Sequence, residues 1–388
     1  MLGATKDLML PTTITGSLPR PHWHKEALNG RAFRAAMSNV DFREQYVDAL
    51  SCLLRDQEQA GLDILTDGDN RFDNEVGGRS WILYTAQRLG GVSGMDLMGR
   101  YAVEARLGTI MREFHECVTP PVVTGKITRG PLEFTALWKV AQRLTDTPVK
   151  FGTATPEVVE GALLNRHYSD RVELIHDIAD VINAELTELA EAGCPIVQIE
   201  EPWVHRAHYR QRSDILPKEF YVDLFNRTAR GLGQKTEVWC HTCWGNPAAQ
   251  RVYKTPMSYA PVLEDMNRLQ CDVLTFETVD NGGADLELIG KIITGKKVAI
   301  GVASHRSLQV ETPEDVAAMI RKAIEFIPAE RLVISTDCGF SREGMSRRHA
   351  RYKMASIVLG TNIVRRELGL PERACKLADP KFSLVPSA

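Results

Sequence analysis

No run in this sequence is long and apolar enough to span a bilayer. The first ten residues mix Lys6 and Asp7 with apolar side chains and do not read as an export signal. Net charge is nearly absent as well. The 47 basic and 50 acidic side chains leave a formal −3 over 388 residues. That balance gives no electrostatic reason to expect nucleic acid or a membrane surface as partner. A disulfide framework is also missing. The eight cysteines follow no framework spacing, so free thiols in a cytoplasmic, reducing setting are expected. There is no internal repeat, low-complexity tract or linker. What remains is ordinary globular material, 44% hydrophobic and 25% charged, long enough for one large barrel with insertions or for two smaller domains, and a single domain over 1–388 is the expectation.

Short β-branched runs alternate with longer helical patterns. The expected strands are 12–17, 62–69, 149–153, 195–200, 237–243, 273–277, 297–303 and 332–337. Helices are expected between them, most clearly over 42–60 and 170–192, where apolar residues recur at three-to-four spacing. Thr312-Pro313-Glu314-Asp315 reads as a helix start, with a capping hydroxyl, a proline in the first turn and then acids. Eight strand–helix units predict an α/β protein, a (βα)8 TIM barrel, with an open doubly wound sheet as the runner-up. Residues 72–148 form an excursion after strand two, placed to shape or cover a site. Residues 367–388, with Pro371, Pro380 and Pro386, are expected to be a loosely packed tail.

The strand ends carry the chemistry. Strand one ends in Thr15-Gly16-Ser17, strand two in Asp67-Gly68-Asp69 and strand four in Glu200-Glu201-Pro202. Strand five ends with His241 and Cys243, strand six with Glu277, strand seven in Ser304-His305 and strand eight in Asp337-Cys338-Gly339. In a barrel these ends gather at one mouth, where the active sites of that fold lie. Alternate strand residues share a face, so His241 and Cys243 can reach one ion together. With Glu277 and Cys338 at equivalent depth they read as a zinc ligand set. Cys240 points to the other face and reads as core packing, as do Cys52, Cys194 and Cys271.

Two thiolates, one imidazole and one carboxylate leave zinc with a net charge near −1. Such a site keeps an incoming thiol deprotonated yet nucleophilic, and a weak carboxylate ligand can give way to admit it. That chemistry leads to S-alkylation and differs from hydrolytic zinc, which activates water. Asp69 and Glu200 point to recognition of a cationic group such as an ammonium. The structural alternative is that Asp67 or Asp69 caps a helix or pairs with Arg71 or Arg79. His305 is placed to protonate a leaving group, or else is a structural histidine.

At these residues the chain resembles the catalytic half of cobalamin-independent methionine synthase, in a family shared with zinc-dependent alkyltransferases such as epoxyalkane–coenzyme M transferase. The matching stretches run nearly end to end. They are Thr12–Ser17, Asp67-Gly68-Asp69, Pro120–Ile127, Val197–Pro202, His241-Thr242-Cys243, Glu277, Ser304-His305 and Asp337-Cys338-Gly339. The resemblance implies a (βα)8 barrel and zinc held by His241, Cys243, Glu277 and Cys338. It also implies homocysteine near Ser17, Asp69 and Glu200, and His305 as general acid.

Methylfolate and homocysteine are the substrate pair it implies by default. Two departures bear on substrates. Asp69 and Glu200 exchange the acids usual in the family, so each carboxylate moves by about one methylene. The family's Gly-Pro-x-Thr turn and the folate-holding Trp after it are replaced by Gly152-Thr153-Ala154-Thr155-Pro156-Glu157, which argues for a different donor contact. Trp81 or Tyr84 in the excursion could offer a stacking surface. The alternative within enzymes is thiolate opening of an epoxide, as in the coenzyme M branch, with Arg20 or Arg71 meeting a sulfonate. A barrel without zinc, as in the porphyrinogen decarboxylases, conflicts with the four ligands. A non-catalytic zinc-binding barrel is the reading from another class. A homo-oligomer is compatible with the sequence.

Overall fold

The computed structural model describes residues 3–28, 30–69, 71, 80–95, 120–209, 215–245, 258–341 and 345–379, with backbone only at 80–81 and 94–95. Ten strands are formed among the described residues. They are β1 (Leu65–Thr66), β2 (Gly90–Met95), β3 (Pro121–Thr128), β4 (Val149–Ala154), β5 (Leu164–Asn165), β6 (Ile196–Glu200), β7 (Glu237–His241), β8 (Val273–Phe276), β9 (Lys297–Gly301) and β10 (Leu332–Ser335). Seven of them make one all-parallel sheet in the order β1-β4-β6-β7-β8-β9-β10. A parallel sheet needs crossovers, and the helical patterns of the sequence supply them.

The sheet is curled, and the segment near Thr12 touches both of its edges. On one side Thr13 donates its amide to Ile334 (2.9 Å) and Ile334 donates to Pro11 (2.8 Å). On the other side the amides of Asp63 and Ile64 donate to the Thr12 carbonyl (3.0 and 3.1 Å). Side chains replace ladder bonds here, which is why the first two expected strands are short. The Asp63 carboxylate accepts from the Thr12 amide (2.8 Å). Gln57 accepts from the Thr66 amide and donates to the Thr66 carbonyl, both at 2.8 Å.

The alternation read from the sequence sorts side chains by depth. Ile64, Ile196, Trp239, Val273, Ala299 and Val333 form one buried apolar cluster. Two residues further along each segment stand Thr66, Gln198, His241, Thr275, Gly301 and Ser335, and polarity rises towards the C-terminal strand ends.

The helices outside the sheet begin where capping chemistry dictates. The Asn39 side chain accepts from the Phe42 amide ahead of helix 40–60. Asp170 accepts from Val172 ahead of helix 171–191. Thr312 and Asp315 form a reciprocal capping box at the start of helix 313–324. None of the described helices is long and apolar enough to cross a membrane. All seven described cysteines are free.

The 72–148 excursion falls partly outside the described residues. Within them it holds helix 80–88, the antiparallel β2–β3 pair, and helix 134–142. That last helix packs on the main sheet, with Trp138 donating to the Val149 carbonyl (3.0 Å) and Phe134 tilted against Phe151. The tail differs from expectation over 367–379. Asn362 and Arg373 exchange two hydrogen bonds, Arg373 pairs with Asp63, and Leu370, Cys375 and Leu377 pack on the core. Pro371 lies just past helix 347–367 and does not prevent docking, and residues 380–388 of the expected tail lie outside the described residues.

Candidate metal centre

Strand register sets the site. Glu200 on β6 pairs with His241 on β7, and His241 pairs with Thr275 on β8. Cys243 lies two residues beyond His241, and Glu277 two beyond Thr275. Cys338 follows β10. One nitrogen of His241 and the sulfurs of Cys243 and Cys338 all lie within 4.8 Å of one another, and all three residues are buried. His241 Nδ1 is 2.7 Å from the Thr275 hydroxyl, which also accepts from the Thr242 amide (3.2 Å). An oxygen already receiving one proton is a natural acceptor for Nδ1–H as well, which leaves the Nε2 lone pair free. Nε2 is buried and has no hydrogen-bond partner.

A buried imidazole nitrogen facing two sulfurs is what a soft-metal site requires. The thiols are already polarised. A hydrogen bond from Cys338, together with His241, holds Cys243 well below the usual thiol range against the effect of burial. The same hydrogen bond, with burial, pushes Cys338 up.

Glu277, the fourth residue expected at the ion, stands with different partners. One carboxylate oxygen accepts from the Trp244 amide (2.8 Å) and the other from Arg306 (3.0 Å). Its ligand atoms group with those of Asp280 and Asp337. Burial and the neighbouring Cys243 push its pKa well up, with Arg306 pulling the other way. Asp337 ties this loop to the Cys338 strand, accepting from the amides of Thr278, Val279 and Asp280 (2.8, 3.1 and 3.1 Å).

The residues expected to face the substrate also converge here. Ser17 packs against Gly339, where a Cβ would stand 2.0 Å from its hydroxyl oxygen, so only glycine lets it sit beside Cys338. Asp69 adopts φ +48° and lies over Gly16, where a Cβ would meet its carboxylate at 2.1 Å. It is buried and Oδ1 has no hydrogen-bond partner. Burial and the charge of Asp67 raise Asp69 to about 6, with Arg71 and Lys150 opposing. Arg71 pairs directly with Asp67, donates to the Gly152 carbonyl (2.7 Å) and stands 3.8 Å from Asp69 Oδ1, so the expected arginine pairing reaches both acids and is closest at Asp67, while Arg79 lies outside the described residues. Glu200 is half-buried and electrostatically coupled to His241 and Cys338.

His305 is fully buried. Its Nε2 lies 2.9 Å from the Gly245 carbonyl, and its Nδ1 has no partner. Burial and Arg306 lower it to about 4, so it is neutral near pH 7.

Two charged groups were missed from sequence. Arg306 follows His305 directly, and the run Ser304-His305-Arg306 at a strand end was the available signal. Lys150 is a lysine inside an apolar strand. It is buried, donates to Gln198 (2.7 Å) and lies 4.6 Å over the Trp239 ring. Burial lowers it to about 7, and Asp69 and Glu200 pull it up. Cys240 is buried in the core as expected. Tyr84 is buried with its hydroxyl on the Leu132 carbonyl (2.5 Å), so it offers no stacking face, and the Trp81 side chain lies outside the described residues.

Known proteins fit this geometry. Residues 10–359 match the family described as cobalamin-independent synthase, catalytic domain. A methionine synthase of Saccharolobus solfataricus is 32% identical over 364 residues, covering 93% of this chain and 96% of its own. That of Sulfolobus acidocaldarius is 28% identical over 362 residues, covering 93% and 94%. A solved B12-independent methionine synthase from Shewanella sp. W3-18-1, in complex with selenomethionine, superposes with a TM-score of 0.74 at 26% identity, covering 93% of this chain and 99% of that one. A match of this length and depth places the chain in the cobalamin-independent methionine synthase family, at its catalytic domain.

Proposed function

We propose that this protein transfers a methyl group to the thiol of homocysteine at a zinc site. The observation that carries the reading is the buried group of His241, Cys243 and Cys338 with an unpartnered imidazole nitrogen facing the two sulfurs. Zinc bound there would act as the Lewis acid that keeps a thiol substrate deprotonated at neutral pH. The remaining chemistry belongs to the chain. His241 has Nδ1 against the Thr275 hydroxyl, which would turn the Nε2 lone pair to the ion. Asp69, Glu200 and Ser17 would take the amino-acid end of the substrate, the two carboxylates meeting its ammonium. Lys150 beneath them offsets one of the two negative charges, leaving room for one added cation. His305, with Nδ1 free, would hold or pass the proton that balances the transfer.

The whole chain, 1–388, then acts as one catalytic domain. Its curled sheet closes as a (βα)8 barrel, with the Thr12 segment as the eighth strand between β10 and β1. The relatives named as methionine synthases support homocysteine as the acceptor, with methylated folate the default donor. A sulfonate thiol is disfavoured, because Arg71 is engaged by Asp67 and the neighbouring Asp69 is acidic. Incubation with homocysteine and a methylfolate, read by mass spectrometry for methionine, tests the reading. Zinc analysis of freshly purified protein runs beside it. Metal-free wild-type protein with full activity would overturn it.

A further inference from the structure

We propose that Arg306 is a positioning residue of the metal centre, a built-in competitor for the Glu277 carboxylate. The inference rests on the zinc reading above. It assigns Glu277 two alternative partners: the ion bound by His241, Cys243 and Cys338, and the guanidinium of Arg306.

Arg306 is held in place independently of Glu277. Its Nε is 3.0 Å from Asp280, and its amide donates to the Ser304 hydroxyl (3.0 Å). Ser304 in turn donates to Asp280 (2.8 Å), and the Asp280 amide is tied to Asp337 (3.1 Å). The cation is therefore a fixed post at the strand ends, with the side chain 22% exposed. Glu277 is 1% exposed and cannot hold an uncompensated charge there. Its two oxygens are taken by Arg306 and by the amide of Trp244, the residue next to Cys243. The carboxylate is thus anchored next to Cys243 and balanced by the Arg306 cation.

Such an arrangement has a direct electrostatic consequence. Two thiolates and one carboxylate on a dication leave a net negative charge, whereas two thiolates alone leave none. Moving the carboxylate to Arg306 discharges the donor set without stranding a buried anion. Arg306 also shares the Gly245 carbonyl with His305 (3.3 and 2.9 Å), so its position is linked to that imidazole.

A double-mutant cycle on the full chain tests this, with zinc affinity measured by competition against a chromophoric chelator. Arg306→Gln should tighten zinc binding about five-fold or more while Glu277 is present, and change it less than about two-fold in the Glu277→Gln background. Arg306→Lys, which keeps the charge, should stay near wild type. With cobalt(II) in place of zinc, Arg306→Gln should alter the visible ligand-field spectrum only when Glu277 is present. Zinc affinity that falls, holds steady or shifts equally in both backgrounds would refute the competition. Wild-type protein that takes up no zinc at all would sink the parent reading and this one together, whereas a flat cycle in zinc-binding protein sinks only this one.

Discussion

The two ends of the parallel sheet treat buried charge in opposite ways. At the N-terminal end the buried Asp63, Glu237 and Lys297 all have partners. Asp63 accepts from Thr12, from Arg365 (2.7 Å) and from Arg373. Arg365 and Thr12 hold its carboxyl below the usual range even though burial works against them. Glu237 takes the Thr5 amide and hydroxyl (2.9 and 2.7 Å), and Lys297 donates to the Thr5 and Leu8 carbonyls (2.5 and 2.9 Å). At the C-terminal end His241 Nε2, Asp69 Oδ1 and His305 Nδ1 are buried without hydrogen-bond partners, Asp69 Oδ1 standing 3.8 Å from the Arg71 guanidinium. Unmatched buried polar atoms cost stability, so a fold keeps them where a ligand will complete them. One end is built for stability and the other for chemistry, the division that parallel α/β sheets make between their two strand ends.

The sharpest test removes a sulfur. Cys243→Ser or Cys338→Ser should strip the metal and lower activity by about three orders of magnitude while the melting temperature stays within a few degrees. Metal analysis with circular dichroism checks this, and full metal retention would contradict the contrast. At the opposite end Asp63→Ala leaves Arg365 and Arg373 without their anion. It should cost about 3 kcal/mol in urea unfolding with metal content unchanged.

Asp69→Asn should raise the KM for homocysteine about 30-fold with a smaller effect on kcat. Its effect on stability has the other sign. Asp69 is raised to about 6, above its ordinary 3.8, so the neutral form suits the fold. The stability it supplies is complete below the unfolded value and is lost as pH rises through about 6. Asp69→Asn should therefore be more stable than wild type by about 2 kcal/mol near pH 8 and equal to it near pH 4. Unfolding curves at the two pH values decide it. Cys240→Ala marks the small end of the scale. It should lose about 1 kcal/mol and no metal, because its side chain points away from His241 and Cys243.

The sequence by itself determined the positions of the main-sheet strands, the alternation that turns His241 and Cys243 to one face, and the helix start at Thr312. Each follows from local rules of period two, period 3.6 and capping. It also singled out the residues at the strand ends, because polar groups there break otherwise apolar runs. Only the tertiary structure decided which charges meet. Glu277 stands with Arg306 and the Trp244 amide, Arg71 is claimed by Asp67, and the tail is held by Asp63 from more than 300 positions away. Charge pairing acts through space over a few ångströms and depends on how the sheet curls. A linear pattern records which side chains lie on a face, but not which opposite charge burial brings against them.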